Sequence, residues 1–397
     1  MEKATRQQIK KQNQNLVLKL FFEELSISRA EIARITRLTR TTVSEIVAEL
    51  IDAGLVQEIG IGSSIGGKSP ILLSLVDDSR YLVSLDLAHN KFCGAIVNLR
   101  GQIRELIQSP IDDCSSSQAL QVVFSILDQL IETPYRPLIG IGIGIPGLVN
   151  TQNGTVVNSI KLDWKDFPLG SLLEERYKLP VYVVNDCQAI AIGEYTYGND
   201  HGAITNMIVI RAGYGIGAGI IINERIFQGD GGSAGEIGHT VAVFENGLLC
   251  RCGNSGCLET VASTQAVIRR TRMLASVSDG GRVNGYSSAA SLEELENRFQ
   301  ADDTLVLKMV IEAGHYLGMA IAGLVGALNI HKIILTGEMT HFGKPWLEAI
   351  QETIKKSALA QPAQETSIQI GRLGNHEVIL GAAAALASNY SLLFSRD

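Results

Sequence analysis

No apolar run in the 397-residue chain reads as long enough to cross a bilayer, and the opening MEKATRQQIKKQNQN is polar rather than signal-like. The expectation is a cytoplasmic protein with no membrane insertion. Low-complexity linkers are also missing, since the 40 glycines gather at strand–turn positions. The six cysteines do not read as a disulfide framework: three crowd into eight positions, which leaves one unpaired, and nothing else points to an oxidising compartment. Neither sign of charge rules the whole chain. The net charge is −7, yet residues 1–45 carry nine Lys/Arg against five Asp/Glu. A basic head on an acidic body fits a nucleic-acid-binding module attached to a domain that binds something else. The length is that of two or three domains.

What is present is concentrated in Gly235–Glu259, GEIGHTVAVFENGLLCRCGNSGCLE. His239, Cys250, Cys252 and Cys257 supply one imidazole and three thiols, the donor set that closes a tetrahedral structural zinc site. Gly253 and Gly256 let the loop fold back on one ion, so one structural Zn2+ per chain is expected. Glu236 and Glu259 bracket the ligands. Cys93 and Cys187 read as small core or near-core residues, and Cys114 falls in a polar loop.

The first 75 residues read as three helices and a β-hairpin. Asn15–Leu25 is amphipathic, with Leu16, Leu20 and Phe21 on its apolar face. Ser28 with Glu31 three residues on is a capping box opening a helix over 29–36. Thr39 opens a third helix over 40–53, with Val43, Ile46, Val47 and Leu50 at helical spacing and Gly54 as its stop. Residues 55–59 and 70–75 form strands flanking a glycine-rich tip. This is a winged helix-turn-helix, whose third helix enters the major groove N-terminus first. Thr39, Arg40, Thr41, Thr42 and Ser44 would face the bases, with Arg40 suited to guanine. Arg29, Arg37 and Lys68 would meet phosphate.

The body reads as two successive β-meander-plus-helix units, an α/β duplication with a cleft between lobes. Residues 81–87, 92–98 and 102–106 form a meander. Next come a helix over 117–131, a glycine-alternating strand over 138–145, a helix over 170–177, a strand over 181–184 and a helix over 187–195. Asn185-Asp186 lies at a strand end, where Asp186 could serve as a helix N-cap, a ligand contact, or both. The second cycle has strands over 207–210, 218–222 and 332–335, a helical region over 302–328, and final elements over 377–380 and 381–387. Residues 276–291 read as a polar surface loop.

The winged helix followed by Gly66-Gly67-Lys68-Ser69-Pro70, together with Gly142-x-Gly144-x-Pro146-Gly147, Asn185-Asp186, Gly215-x-Gly217, Gly235-Glu-x-Gly-His239 and Cys-x-Cys-Gly-x2-Gly-Cys-x-Glu259, carries a resemblance. From about residue 15 to 385 the chain resembles the ROK family of repressors and sugar kinases, in particular its transcriptional-repressor branch of the xylose-repressor type. The resemblance implies an actin/hexokinase-like ATPase fold for the body. It implies domains at 1–75 (winged helix), 76–197 with 380–397 (first lobe) and 198–379 (second lobe, with the zinc site and oligomerisation surface). It also implies sugar contacts from Asn185, Asp186, Glu236, His239, Glu259, Gly147 and Asn158. In kinase members the aspartate matching Asp186 is the catalytic base. Zinc would then be a brace that positions Glu236, His239 and Glu259.

Departures from the kinase pattern favour sensing over phosphoryl transfer. The first phosphate loop reads Asp86-Leu87-Ala88-His89-Asn90-Lys91, where kinases carry glycines and a threonine. Tyr214 replaces a hydroxyl residue in the second loop, and Thr336-Gly337-Glu338 brings a carboxylate to the nucleotide side. On the sugar side, Val157-Asn158-Ser-Ile-Lys161-Leu-Asp-Trp164 either displaces Asn158 or substitutes Lys161. The expectation is a non-enzymatic, sugar-responsive repressor of carbohydrate-utilisation genes that binds operator DNA as a homodimer or homotetramer. A sugar kinase retaining ATP-dependent transfer and a regulator sequestered by a protein partner remain the alternatives.

Overall fold

Thr5 and Gln8 start the first helix by capping each other: the Thr5 hydroxyl accepts from the Gln8 N–H (3.2 Å) and the Gln8 carbonyl from the Thr5 N–H (2.7 Å). The computed structural model describes residues 5–63, 69–87, 91–111, 115–198, 204–278 and 291–394. Lys68, with Gly66 and Gly67, and Ala88, His89, Asn90 and Cys114 lie outside that set. So do residues 279–290 of the expected polar loop.

Helix α1 spans Arg6–Glu23 and buries Val17, Leu18, Leu20, Phe21 and Phe22. It begins nine residues before the sequence-based start at Asn15, because residues 6–14 hold a single apolar residue, exposed Ile9, and so show no apolar period. Leu16 is exposed, contrary to its expected place on the apolar face. A short strand, β1 (Ile27–Ser28), leads to α2 (Arg29–Thr36). The Ser28 hydroxyl accepts from the Glu31 N–H (3.2 Å), while the Glu31 carboxylate meets that same hydroxyl (3.3 Å). Helix α3 (Arg40–Asp52) is capped by Thr39 and buries Val43, Ile46, Val47 and Leu50, as the spacing predicts. Gly54 at φ +69° lets the Leu55 N–H return to the Leu50 carbonyl (2.9 Å). Strands β2 (Val56–Ile61) and β3 (Ile71–Leu75) pair antiparallel as the wing, and β1 adds to β3, a two-residue pairing too short to show in a sequence pattern.

Two arginines fasten this head to the first lobe. Buried Arg80 donates through Nη2 to the Ala53 carbonyl at the end of α3 (3.0 Å) and through Nε to the Leu393 carbonyl (3.0 Å). Arg100 donates to the carbonyls of Phe22 (3.1 Å) and Glu24 (3.2 Å) at the end of α1. Each cation sits where a helix leaves unpaired carbonyls.

The head and the first lobe fall in one compact unit, Met1–Ala203 with Asn375–Asp397. Strands β4 (Tyr81–Asp86), β5 (Lys91–Asn98) and β6 (Ile103–Pro110) form a meander, followed by α4 (Ser116–Glu132) and β7 (Leu138–Ile145). A small sheet of β8 (Leu148–Asn150), β9 (Thr155–Ser159) and β10 (Trp164–Phe167), absent from the sequence-based expectation, precedes α5 (Leu169–Tyr177), β11 (Val181–Asn185) and α6 (Asp186–Tyr197). The main sheet has the order β11-β7-β4-β5-β6, with β7 and β11 parallel to β4. In β7 the isoleucines enter the core while the alternating glycines meet the C-terminal helix Glu377–Ala387. A Cβ on Gly142 would lie 2.3 Å from the Ala382 carbonyl oxygen, so glycine is what lets helix backbone rest on strand. That helix is continuous from Glu377, which corrects the division into two elements at 380/381.

The second unit, Ile204–Gly374, repeats the plan. Strands β12 (Met207–Ala212), β13 (Ile216–Ile222) and β14 (Arg225–Ile226) form its meander. Helices α7 (Glu259–Ala262), α8 (Thr264–Ser278), α9 (Leu292–Gln300) and α10 (Thr304–Leu328) come next, then β15 (Lys332–Thr336), α11 (Gly343–Ser357), α12 (Ala360–Glu365) and β16 (Ser367–Ile370). The order β14-β13-β12-β15-β16, again with two parallel strands after the meander, matches the first sheet strand for strand. The duplication is therefore real, and the body is the actin/hexokinase-like fold.

Two expectations need correction here. Helix α10 is long and apolar enough to cross a membrane by length and composition, contrary to the expectation that the chain holds no such run. Half of that stretch is buried, with Ala313, Leu317, Ile321 and Val325 in the core of the unit. The other correction is that α8 continues to Ser278, past the expected loop start at 276.

Gly142→Ala should destabilise the first unit by about 1–3 kcal/mol through forced overpacking. Urea unfolding followed by circular dichroism is the check.

Candidate metal centre and nucleic-acid interface

Three thiols and an imidazole converge in the second unit. The donor atoms of His239, Cys250, Cys252 and Cys257 all lie within 4.8 Å of one another. A zinc ion bonded tetrahedrally to sulfur at about 2.3 Å needs S···S edges of about 3.8 Å and S···N edges of about 3.6 Å. The Cys252–Cys257 sulfurs are 3.7 Å apart, and Cys250 Sγ is 3.6 Å from His239 Nδ1. The residues therefore fit the ion. His239 turns Nδ1 to the thiols and leaves Nε2 on the side of Glu236, 4.0 Å from its carboxylate.

Two of the thiols would have to give up a proton to bind a cation. Burial, with the neighbouring sulfurs adding to it, pushes the Cys257 thiol up to about 12, and burial raises Cys250 as well. Cys252, exposed and receiving the Asn254 backbone N–H, is lowered. Metal uptake at neutral pH must then expel protons.

Glu259 opens α7 directly behind the thiols. Arg251, between Cys250 and Cys252, grips both its oxygens: Nε reaches Oε1 (2.8 Å) and Nη2 reaches Oε2 (2.9 Å). The Ile216 N–H also donates to Oε2 (3.2 Å). Sequence reasoning passes over Arg251, whose only signal is its place between two ligands. Against the nearby turn, Glu338 lays its carboxylate over Gly213, so that a Cβ there would meet Oε2 at 1.7 Å, and this oxygen is buried without a hydrogen-bond partner.

The first unit holds the remaining residues expected to contact a ligand. Asn185 caps α6, its side-chain oxygen accepting from Gln188 N–H (3.1 Å) and its amide donating to the Gly147 carbonyl (3.0 Å). A Cβ on Gly147 would strike the Asn158 carbonyl at 2.4 Å, so Gly147, Asn158 and Asn185 are neighbours. The N-cap is Asn185, which corrects the expectation of an N-cap at Asp186. Asp186 is the first helical residue and accepts from the Cys187 N–H (2.9 Å).

In the head, Thr39 and Thr42 are occupied with each other, their hydroxyls 2.9 Å apart, and Arg29 pairs with Glu58 of the wing (3.0 Å). Arg40, Thr41 and Ser44 are exposed along one side of α3's first turns, and Arg37 is exposed in the left-handed turn before it.

A model of the ROK family matches residues 82–389, and the chain belongs to that family. Its likeness to repressors runs through the head as well. It is 32% identical over 391 residues to the xylose repressor of Caldicellulosiruptor bescii, covering 96% of each chain. A crystal structure of a ROK family transcriptional regulator, a homolog of the E. coli MLC protein, superposes with a TM-score of 0.82 at 27% identity over 97% of this chain and 98% of that one. The glucokinase of Halalkalibacterium halodurans is 33% identical over 309 residues, which is 93% of the enzyme but 76% of this chain.

Cys252→Ser should lower zinc content by mass spectrometry or colorimetric assay and reduce the melting temperature. Zinc added to metal-free protein at pH 7 in weak buffer should release protons, visible with a pH indicator; proton-neutral uptake would contradict protonated thiols at the site.

Proposed function

We propose that the chain is a sugar-responsive transcriptional repressor of the xylose-repressor type, one that binds operator DNA through its winged head and a sugar through the body. The observation that carries this reading is the likeness to a named repressor over 96% of the chain, against 76% for the glucokinase. Arg40, Thr41 and Ser44 read bases, while Arg37, Arg29 and Lys68 hold phosphate, with Thr39 and Thr42 fixing the helix start. Two copies read two half-sites, as a homodimer or within a homotetramer.

The sugar-contacting set is Asn185, Asp186, Gly147 and Asn158 with Glu236, His239 and Glu259. A polyol needs acceptors from the carboxylates and a donor from the imidazole. With Nδ1 on zinc, His239 carries its proton on Nε2 and donates. One zinc per chain supplies a fixed tetrahedral anchor for this loop. The sugar weakens DNA binding only to the extent that it prefers the conformation with lower operator affinity.

The placement of Glu338 over Gly213 supports a reading without phosphoryl transfer. Its carboxylate takes up space beside the turn's amides that a phosphate would otherwise use.

Selection from a random duplex library should yield a preferred operator, from which D-xylose, D-glucose or N-acetyl-D-glucosamine releases the protein. Arg40→Ala should weaken operator binding by about 1–3 kcal/mol and relax one base position. Sugar-dependent ATP turnover that disappears in Asp186→Asn would instead establish a kinase.

A further inference from the structure

Helix α6 starts at the proposed sugar contacts and ends beside the head. Asn185 caps it, Asp186 is its first residue and Tyr197 its last, twelve residues in all. At about 1.5 Å per residue it spans about 18 Å. Gln188, Ala189, Ile190, Ala191 and Glu194 are buried along it. A helix packed this closely shifts as one body rather than by compression.

The far end meets the turn between β5 and β6. A Cβ on Gly101 would lie 3.0 Å from Cγ and Cδ2 of the Tyr197 ring, so that turn rests on the ring. Next to Gly101, Arg100 donates to the Phe22 and Glu24 carbonyls at the end of α1, and its Nε donates to Asp77 Oδ1 (3.3 Å). The Tyr197 hydroxyl is buried without a hydrogen-bond partner among the described residues, so no hydrogen bond fixes the tip of the ring. Phe22, Leu25, Arg100, Thr196 and Tyr197 help to line a cavity of about 290 Å³ at this junction. The joint has room for a small displacement that a close-packed core would resist.

A second contact leads the same way. The C-terminal helix Glu377–Ala387 lies on α6 at backbone distance, since a Cβ on Gly381 would fall 2.0 Å from the Ala189 carbonyl oxygen. Beyond that helix, the Tyr390 ring packs on Phe22 of α1, with 5.6 Å between centroids. The Leu393 carbonyl accepts from Arg80, which also holds the Ala53 carbonyl at the end of α3. Both helices lead to the residues that anchor the head.

We propose that α6 is the strut that carries the state of the sugar site to the DNA-reading head, with Tyr197 and Arg100 as positioning residues at its far end. This rests on the sugar-binding reading of the body. A sugar held at Asn185 and Asp186 displaces α6 against the Gly101 turn, and Arg100 passes the displacement to the end of α1. Neither Tyr197 nor Arg100 belongs to the proposed sugar or DNA contacts. The coupling is reciprocal, so operator DNA lowers sugar affinity by the same factor by which sugar lowers operator affinity. The quantity that reads such a route is this coupling factor, not either affinity alone.

The test uses full-length, zinc-loaded protein, the duplex recovered by selection, and whichever of D-xylose, D-glucose and N-acetyl-D-glucosamine binds. Fluorescence anisotropy gives the ratio of operator Kd with and without saturating sugar, and calorimetry gives sugar affinity without DNA. Tyr197→Leu and Arg100→Ala should each keep the wild-type sugar affinity while shrinking that ratio at least about threefold. Tyr197→Phe, which removes only the unpartnered hydroxyl, should keep the wild-type ratio. Arg100→Lys keeps the charge but loses the fork that spans two carbonyls, and should fall between wild type and Arg100→Ala. The two Arg100 variants carry the test if Tyr197→Leu fails to fold. A wild-type ratio in folded Tyr197→Leu or Arg100→Ala overturns the inference and leaves the sugar reading intact. Loss of sugar affinity in either variant also overturns it, because the residue would then support the site rather than relay from it. So does a sugar that binds the wild-type protein without changing operator affinity. Failure to select an operator, or of all three sugars to bind, removes the sugar-repressor reading and this inference with it.

Discussion

Three sulfurs and a ring nitrogen brought to tetrahedral spacing are the constraint around which the second unit's ligand side is organised. Between Gly235 and Glu259 the regular structure is the short turn Ile237–His239 and two isolated bridges, Val241 with Cys257 and Leu249 with Ser255, joined by scattered backbone bonds such as Ala242 N–H to the Gly256 carbonyl. A stretch this long with so little ladder bonding has no sheet or helix to hold its shape. A metal ion held by the four donors would add to those scattered bonds, its binding energy becoming folding energy for the loop. The loop carries exposed Phe244 and Leu249 on its outside and the buried Cys250 and Cys257 on its inside, where two of the four candidate metal ligands replace an apolar interior.

The two lobes share one topology but have parted in their chemistry. Each sheet is a meander extended by two parallel strands. In the first, the glycines of β7 accept a helix at backbone contact. In the second, the equivalent freedom at Gly213 and Gly215 is filled by side chains: Glu338 lies over one glycine, and the Arg251–Glu259 pair lies against the other. Glycines that elsewhere in such folds leave room for a ligand here leave room for the protein's own carboxylates. The body keeps the architecture that the ROK family shares, with Glu338 laid over one of its turns.

Much of this is legible in the residues. The Cys-x-Cys-x4-Cys spacing with His239 announces the metal centre, the period in α3 names its four buried residues, and the glycine alternation of β7 marks a close approach. What escapes notice has physical causes. The first turns of α1 are polar and exposed on all sides, so no periodicity betrays them. Strand β1 is two residues long, and the β8–β10 sheet has strands of three to five. The capping role of Asn185 rather than Asp186 depends on which side chain turns back to Gln188, a matter of backbone angles and not of residue type. Arg251 is overlooked because an arginine between ligands looks like a solvated spacer until its partner, eight positions away, folds back beside it.

The tether between head and body has a bearing on synthesis. Arg80 leaves the ribosome early, yet one of its acceptors, the Leu393 carbonyl, lies 313 residues later in the chain. At elongation rates of about 5–20 residues per second, that interval is roughly 15–60 s. The three helices and wing can close on their own hydrophobic residues long before then. Their seating on the first lobe, however, is completed by residues made much later, as is the helix that covers β7. A nascent chain therefore displays a folded reading head before it owns the full joint that orients it, and a ribosome that stalls short of Leu393 releases a head missing one of its anchors.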